Sequence, residues 1–105
     1  MAKSIEAAEL DQIPVGTSKL VRVADNDIAL FNVDGNVYAI GDTCVHQGSS
    51  LSQGKLDGKV VTCRGHGWRF DVTTGYVTSS PGFGVASYPV EIVDGKIMVD
   101  INKRE

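Results

Sequence analysis

Three Asp-Gly dipeptides constrain this chain more than any other feature: Asp34-Gly35, Asp57-Gly58 and Asp94-Gly95. Asp-Gly suits the left-handed backbone of a tight hairpin turn, and each pair lies beside short runs of apolar and β-branched residues. Ile28 to Val33 and Val37 to Ile40 flank the first pair. Val60 to Cys63 follows the second, and Tyr88 to Val93 with Ile97 to Ile101 flank the third. Upstream, two-residue alternation puts Leu20, Arg22 and Ala24 on one face and Val21 and Val23 on the other, with a turn expected at Asp25-Asn26-Asp27. The opening residues hold a short apolar segment, Ile5-Glu6-Ala7-Ala8. One helical turn is expected over Asp11 to Pro14, where Pro14 and Gly16 stop anything longer. No longer helical periodicity is present. Many short strands punctuated by 12 glycines predict an all-β fold, a small antiparallel sandwich or barrel.

Residues 41 to 83 lose this regularity. Leu51 and Leu56 are expected to fasten the irregular stretch to the core. Trp68 and Phe70 alternate with Arg69 and Asp71 on a short strand, Thr74-Gly75 turns into Tyr76-Val77, and Ser79 to Gly84 reads as a loop. The 105 residues therefore predict one domain of two parts. Residues 1–40 and 84–105 form a base sheet, and residues 41–83 form an insertion.

Both cysteines and both histidines of the chain fall in that insertion, as Cys44-Val45-His46 and Cys63-Arg64-Gly65-His66. The two thiols could form a disulfide. An imidazole two or three residues from each thiol instead reads as metal ligation, which suits a reducing cytoplasm. Structural zinc sites usually pair cysteine with cysteine and histidine with histidine. Here each loop mixes them, and zinc stays as the rival to iron. Glycines Gly48, Gly65 and Gly67 would let backbone amides approach a bound metal group.

Other function classes are disfavoured. A net charge of −3 gives no reason to expect a nucleic-acid or anionic-membrane partner, and mild acidity suits docking on a basic patch of another protein. The N-terminus lacks a signal-peptide apolar region, and no apolar run is long enough to span a bilayer. No nucleophile–base pair or phosphate-cradling loop is visible.

The pattern C-x-H…C-x-x-H, followed by His66-Gly67-Trp68-Arg69-Phe70-Asp71 and Thr74-Gly75, resembles the Rieske family. The resemblance spans about Val33 to Val99 and is nearest to low-potential Rieske ferredoxins and the Rieske domains of ring-hydroxylating oxygenases. It implies a [2Fe–2S] cluster with Cys44 and Cys63 on one iron and His46 and His66 on the other. It also implies a base subdomain carrying a smaller cluster-binding subdomain. Rieske centres as a class span about −150 to +300 mV. High-potential members carry two further cysteines as a disulfide between the loops, and hydroxyl residues where Trp68 and Phe70 stand here. Their absence implies a potential near the bottom of the range. Arg64 departs from the pattern, in which proline is commoner.

A mononuclear oxygenase iron needs two more histidines, and the chain has none. The resemblance thus implies a one-electron carrier rather than an enzyme. It would be a monomer that takes electrons from a flavin-dependent ferredoxin reductase and passes them to a terminal, aromatic ring-hydroxylating oxygenase through His46 and His66. Two alternatives are a small Rieske subunit fixed in a larger reductase and a zinc-stabilised interaction module. Among single residues, Trp68 is expected to pack the insertion onto the base, and Tyr38 and Tyr88 to be core. Lys55, Asp57 and Lys59 should form a solvated hairpin. Pro81-Gly82 either covers the cluster or is an ordinary turn. Gln47, Arg64 and Arg69 lie where a partner could touch them.

Overall fold

The computed structural model describes residues 4–43, 49–65 and 67–101. Among them every regular element is a strand or a single 3-10 turn, as an all-β fold requires. In chain order the first strands are β1 (Ser4–Glu9), β2 (Ser18–Val23), β3 (Asn26–Val33) and β4 (Asn36–Gly41). Then come β5 (Lys55–Asp57), β6 (Val60–Thr62), β7 (Arg69–Asp71), β8 (Tyr76–Val77) and β9 (Ser80–Gly84). The last are β10 (Ser87–Tyr88), β11 (Val90–Val93) and β12 (Lys96–Asp100). They make three antiparallel sheets, ordered β1-β12-β11, β10-β4-β3-β2 and β5-β6-β7-β8-β9.

The hairpin chemistry works largely as read. Asp34-Gly35 (φ 54° and 92°) and Asp94-Gly95 (φ 51° and 76°) both have positive φ at each central position, the type I′ pattern. The turn before β3 lies one residue earlier than expected. Ala24 and Asp25 take φ 49° and 67°, while Asn26 opens the strand and its side-chain amide donates to the carbonyls of Val23 and Ala24. In the middle pair Asp57 still belongs to β5, opposite Val60. Gly58-Lys59 makes that turn, with positive φ at Gly58.

Four other expectations need correction. Ser4–Glu9 is a full strand paired to β12, with a bulge between Glu6 and Ala8 that breaks its alternation. The helical turn lies at Leu10–Gln12, where the Gln12 side chain accepts from the Glu9 amide. Tyr88 to Val93 is not one strand, because Pro89 has no N–H to give a ladder. Tyr88 pairs with Ala39, Val90 pairs with Val99, and the chain changes sheets at the proline. Ser79 to Gly84, expected as a loop, is mostly strand β9, paired to β8 as Tyr76 with Gly84 and Val77 with Ser80, with a register shift between the two pairs.

The middle sheet separates two cores. Val21 and Val23 of β2, Ile28 and Leu30 of β3, and Val37 and Ala39 of β4 share one face of it and meet Ile97 and Val99 of β12. Ala29, Phe31 and Val33 from the other face of β3, with Ile40, meet Leu51, Val61, Cys63, Phe70, Val72 and Val77. A strand buried on both faces loses the polar half of its alternation, which explains the apolar run from Ile28 to Phe31. The second core fastens the five-stranded sheet to the rest. Leu51 is fully buried in it and Leu56 packs against it, as expected of both.

Candidate metal centre

The first loop leaves β4 after Gly41, and its base is closed by one side chain. Asp42 is 4% exposed. Its Oδ1 accepts from the Ser52 amide at 2.8 Å, and its Oδ2 accepts from Ser50 Oγ at 2.6 Å. The Asp42 carbonyl accepts from the Leu51 amide at 2.7 Å, and Thr43 bridges to Ser50. Ser18 Oγ on β2 donates to the Ser52 carbonyl at 2.6 Å, holding this knot to the base. Residues 43–50 are thus pinched at both ends. No ligand chemistry flags Asp42 in the sequence. The Ser-Leu-Ser run opposite it was the available signal: two hydroxyl residues around one apolar anchor.

The second loop joins β6 to β7. The Cys63 amide donates to the Trp68 carbonyl at 2.7 Å, and the Gly67 amide donates to the Cys63 carbonyl at 3.0 Å. Gly67 has φ 75°, which closes the turn. Cys63 is 1% exposed and belongs to the second core.

These loops meet at Gly65. A Cβ placed there would lie 2.7 Å from Ser49 Oγ and 3.7 Å from Cys63 Sγ, so the first loop occupies the space a side chain would need. A second tie crosses between the loops where Arg64 Nη1 donates to Gln53 Oε1 at 2.7 Å. Beside them Trp68 meets the half-exposed Phe83 edge-on, with ring centres 6.1 Å apart and an interplanar angle of 61°.

Of the four expected ligands, the structure describes Cys63. Cys44, His46 and His66, with Gln47 and Gly48, lie outside the described residues. Among the described residues no three His, Cys, Asp or Glu side chains gather. What is described fits a soft metal group. Burial by itself favours the neutral thiol, and a bound metal would supply the positive charge that lets this sulfur be held there as a thiolate. Gly65 leaves backbone rather than side chain where the two loops converge on that sulfur.

A family model described as the Rieske [2Fe–2S] domain matches residues 3–89. This chain belongs to the Rieske family. It is 36% identical over 101 residues to the ferredoxin component of the naphthalene 1,2-dioxygenase system of Pseudomonas aeruginosa, covering 95% of this chain and 97% of that one. It is 38% identical to the biphenyl dioxygenase ferredoxin subunit of Pseudomonas sp. (strain KKS102), covering 93% and 92%. Among solved structures, one similar chain comes from the complex of reduced oxygenase and oxidized ferredoxin in carbazole 1,9a-dioxygenase. There the TM-score is 0.86 and the identity 34%, over 97% of this chain and 95% of that one. This Rieske chain is therefore similar over nearly its whole length to proteins named as ferredoxin components of dioxygenase systems. No helix among its described residues is long and apolar enough to cross a membrane.

Proposed function

We propose that this Rieske protein is the ferredoxin component of a ring-hydroxylating oxygenase system. It carries one electron at a time on a [2Fe–2S] cluster held by Cys44, His46, Cys63 and His66. The observation that carries the reading is the convergence of the two loops on Cys63 Sγ, in a chain whose relatives are named as ferredoxin components. Two thiolates would hold the inner iron, and two neutral imidazoles the outer one. When bound, the cluster supplies a single reversible electron; the chain supplies its place and its surroundings. Asp42, Ser50 and Ser52 hold the loop of Cys44 and His46 closed. The Cys63–Trp68 and Gly67–Cys63 hydrogen bonds hold the other. Phe70 and Val61 keep water from the sulfur side.

The proposed partners are a flavin-dependent ferredoxin reductase as donor and a terminal oxygenase as acceptor, met in turn by a monomer in the cytoplasm. Residues 1–40 and 84–105 serve as the base, and residues 41–83 bring the cluster to one end.

Loading the protein with iron and sulfide tests this directly. The expected product is red-brown and takes up one electron per chain. It is EPR-silent when oxidised, because the two ferric spins cancel, and shows a half-integer spin signal once reduced. Cys63→Ser should abolish the colour. A colourless protein that binds one zinc instead would overturn the proposal.

A further inference from the structure

The charge around Cys63 has the opposite sign to the charge of the chain. Formal net charge is −3, yet residues 43–54 and 72–90 contain no charged side chain at all. Apart from the buried Asp42, whose oxygens are taken by Ser50 and Ser52, the charges of the cluster-bearing region lie on β5, β6, β7 and their turns, and strand register sorts them. Leu56, Val61 and Phe70 form one cross-strand row facing the second core. Lys55, Thr62 and Arg69 form the neighbouring row on the outer face, beside Cys63. Asp57, Val60 and Asp71 form the next outer row, two residues away at the far end of the strands, about 7 Å off. Asp71 there is engaged locally, its Oδ1 accepting from the amide and hydroxyl of Thr73.

Arg64 adds a third exposed cation on the turn itself. Lys55 and Arg64 line the groove that opens beside Cys63, together with Gln53, Thr62 and Gly67. Arg69, Trp68 and Phe83 line the adjoining groove. Among the described residues, the ion pairs are Arg22–Asp27 and Lys96–Glu6, both elsewhere, so none of the three cations is neutralised.

We propose that Lys55, Arg64 and Arg69, around the Trp68–Phe83 edge, form a cationic docking surface for an electron-transfer protein whose contact surface carries carboxylates. The inference rests on the carrier reading above. Unpaired surface charges contribute little to stability but steer encounters, and their effect fades as salt shortens the screening length to a few ångströms. Asp57 and Asp71 at the far end, offset in part by Lys59 on the β5–β6 turn, leave the positive charge concentrated at the Cys63 end and orient the partner toward it.

Two heme proteins of opposite surface charge serve as probes: ferric cytochrome b5, with an acidic heme edge, and ferric cytochrome c, with a basic one. Each takes one electron from the dithionite-reduced holoprotein and becomes ferrous. The rate constant with cytochrome b5 should fall about tenfold between about 10 and 300 mM salt, and that with cytochrome c should not fall. Arg64→Glu and Lys96→Glu change net charge equally, but Lys96 lies on β12, in the three-stranded sheet on the other side of the first core. Arg64→Glu should slow cytochrome b5 about tenfold at low salt, and Lys96→Glu less than twofold. Lys55→Glu, on an exposed strand position, repeats the test if Arg64→Glu does not load.

Faster, salt-sensitive reaction with cytochrome c, or equal effects of the two variants, would overturn the proposal. Low-salt self-association abolished by Arg64→Glu would also overturn it, by assigning the surface to a second copy of this chain. Failure of the wild-type protein to load a cluster would instead refute the carrier reading.

Discussion

Ser50 Oγ donates a 2.6 Å hydrogen bond to Asp42 Oδ2 and so closes the loop that carries Cys44 and His46. The second carboxylate oxygen takes the Ser52 amide, and Ser50 and Ser52 hydroxyls lie 2.9 Å apart. A buried carboxylate is tolerated here because both its oxygens are satisfied. Rieske proteins that tie their two loops with a disulfide do so covalently. Here the ties are Asp42 within one loop, and the Ser49–Gly65 approach and the Gln53–Arg64 bond between the two.

Removing that carboxylate should therefore loosen the loop more than it disturbs the sheets. Asp42→Ala strips both bonds and leaves the part-buried Ser52 amide without its acceptor, a loss of about 2–3 kcal/mol. Asp42→Asn keeps one acceptor and should lose less. Urea unfolding of the loaded protein checks the stability, and the rate of bleaching by an iron chelator checks the loop. Chelator bleaching of Asp42→Ala at the wild-type rate would show that the knot does not guard the site.

Two glycines with similar backbone angles should respond very differently to alanine. Gly35 (φ +92°) has open space around it, so Gly35→Ala costs only the left-handed conformation, about 1 kcal/mol. Gly75 (φ +84°) faces the Val85 carbonyl, where the chain folds back against β9, and a Cβ there collides with backbone. Gly75→Ala should lose about 3 kcal/mol or fail to fold. Equal unfolding midpoints for the two variants would contradict the packing described here.

Phenylalanines Phe70 and Phe83 lie close to the same loop but differ in burial. Phe70→Ala opens a cavity in the second core, at about 3–5 kcal/mol. Phe83 is 49% exposed and touches Trp68 edge-on, so Phe83→Ala should cost about 1 kcal/mol or less. The two thermal midpoints, measured side by side, decide the matter.

The midpoint potential should fall near the lower end of the Rieske range, at about −150 mV. Trp68 and Phe70 offer no hydroxyl to the cluster sulfurs, and fewer hydrogen bonds leave the reduced state less stabilised. A redox titration giving a value above about +100 mV would contradict this assignment.

Period-two patterning and turn chemistry were legible in the residues themselves. Asp34-Gly35 and Asp94-Gly95 are local signals, because a type I′ turn needs positive φ at two adjacent positions and little else. The mixed Cys–His spacing was legible for the same reason: ligand type and separation are properties of a short segment. Pairing partners were not. Pro89 moves the chain from one sheet to another, and Ser80–Gly84 is a strand only because β8 lies beside it. Asp42 looked like any loop carboxylate until Ser50 and Ser52 were brought back to it. Nor could a net charge of −3 reveal that Lys55 and Arg69 share an outer face beside Cys63 while Asp57 and Asp71 sit a row behind. Turns and ligand loops are decided by neighbours along the chain. Burial, strand register and the local field are decided by neighbours in space, which only the folded molecule supplies.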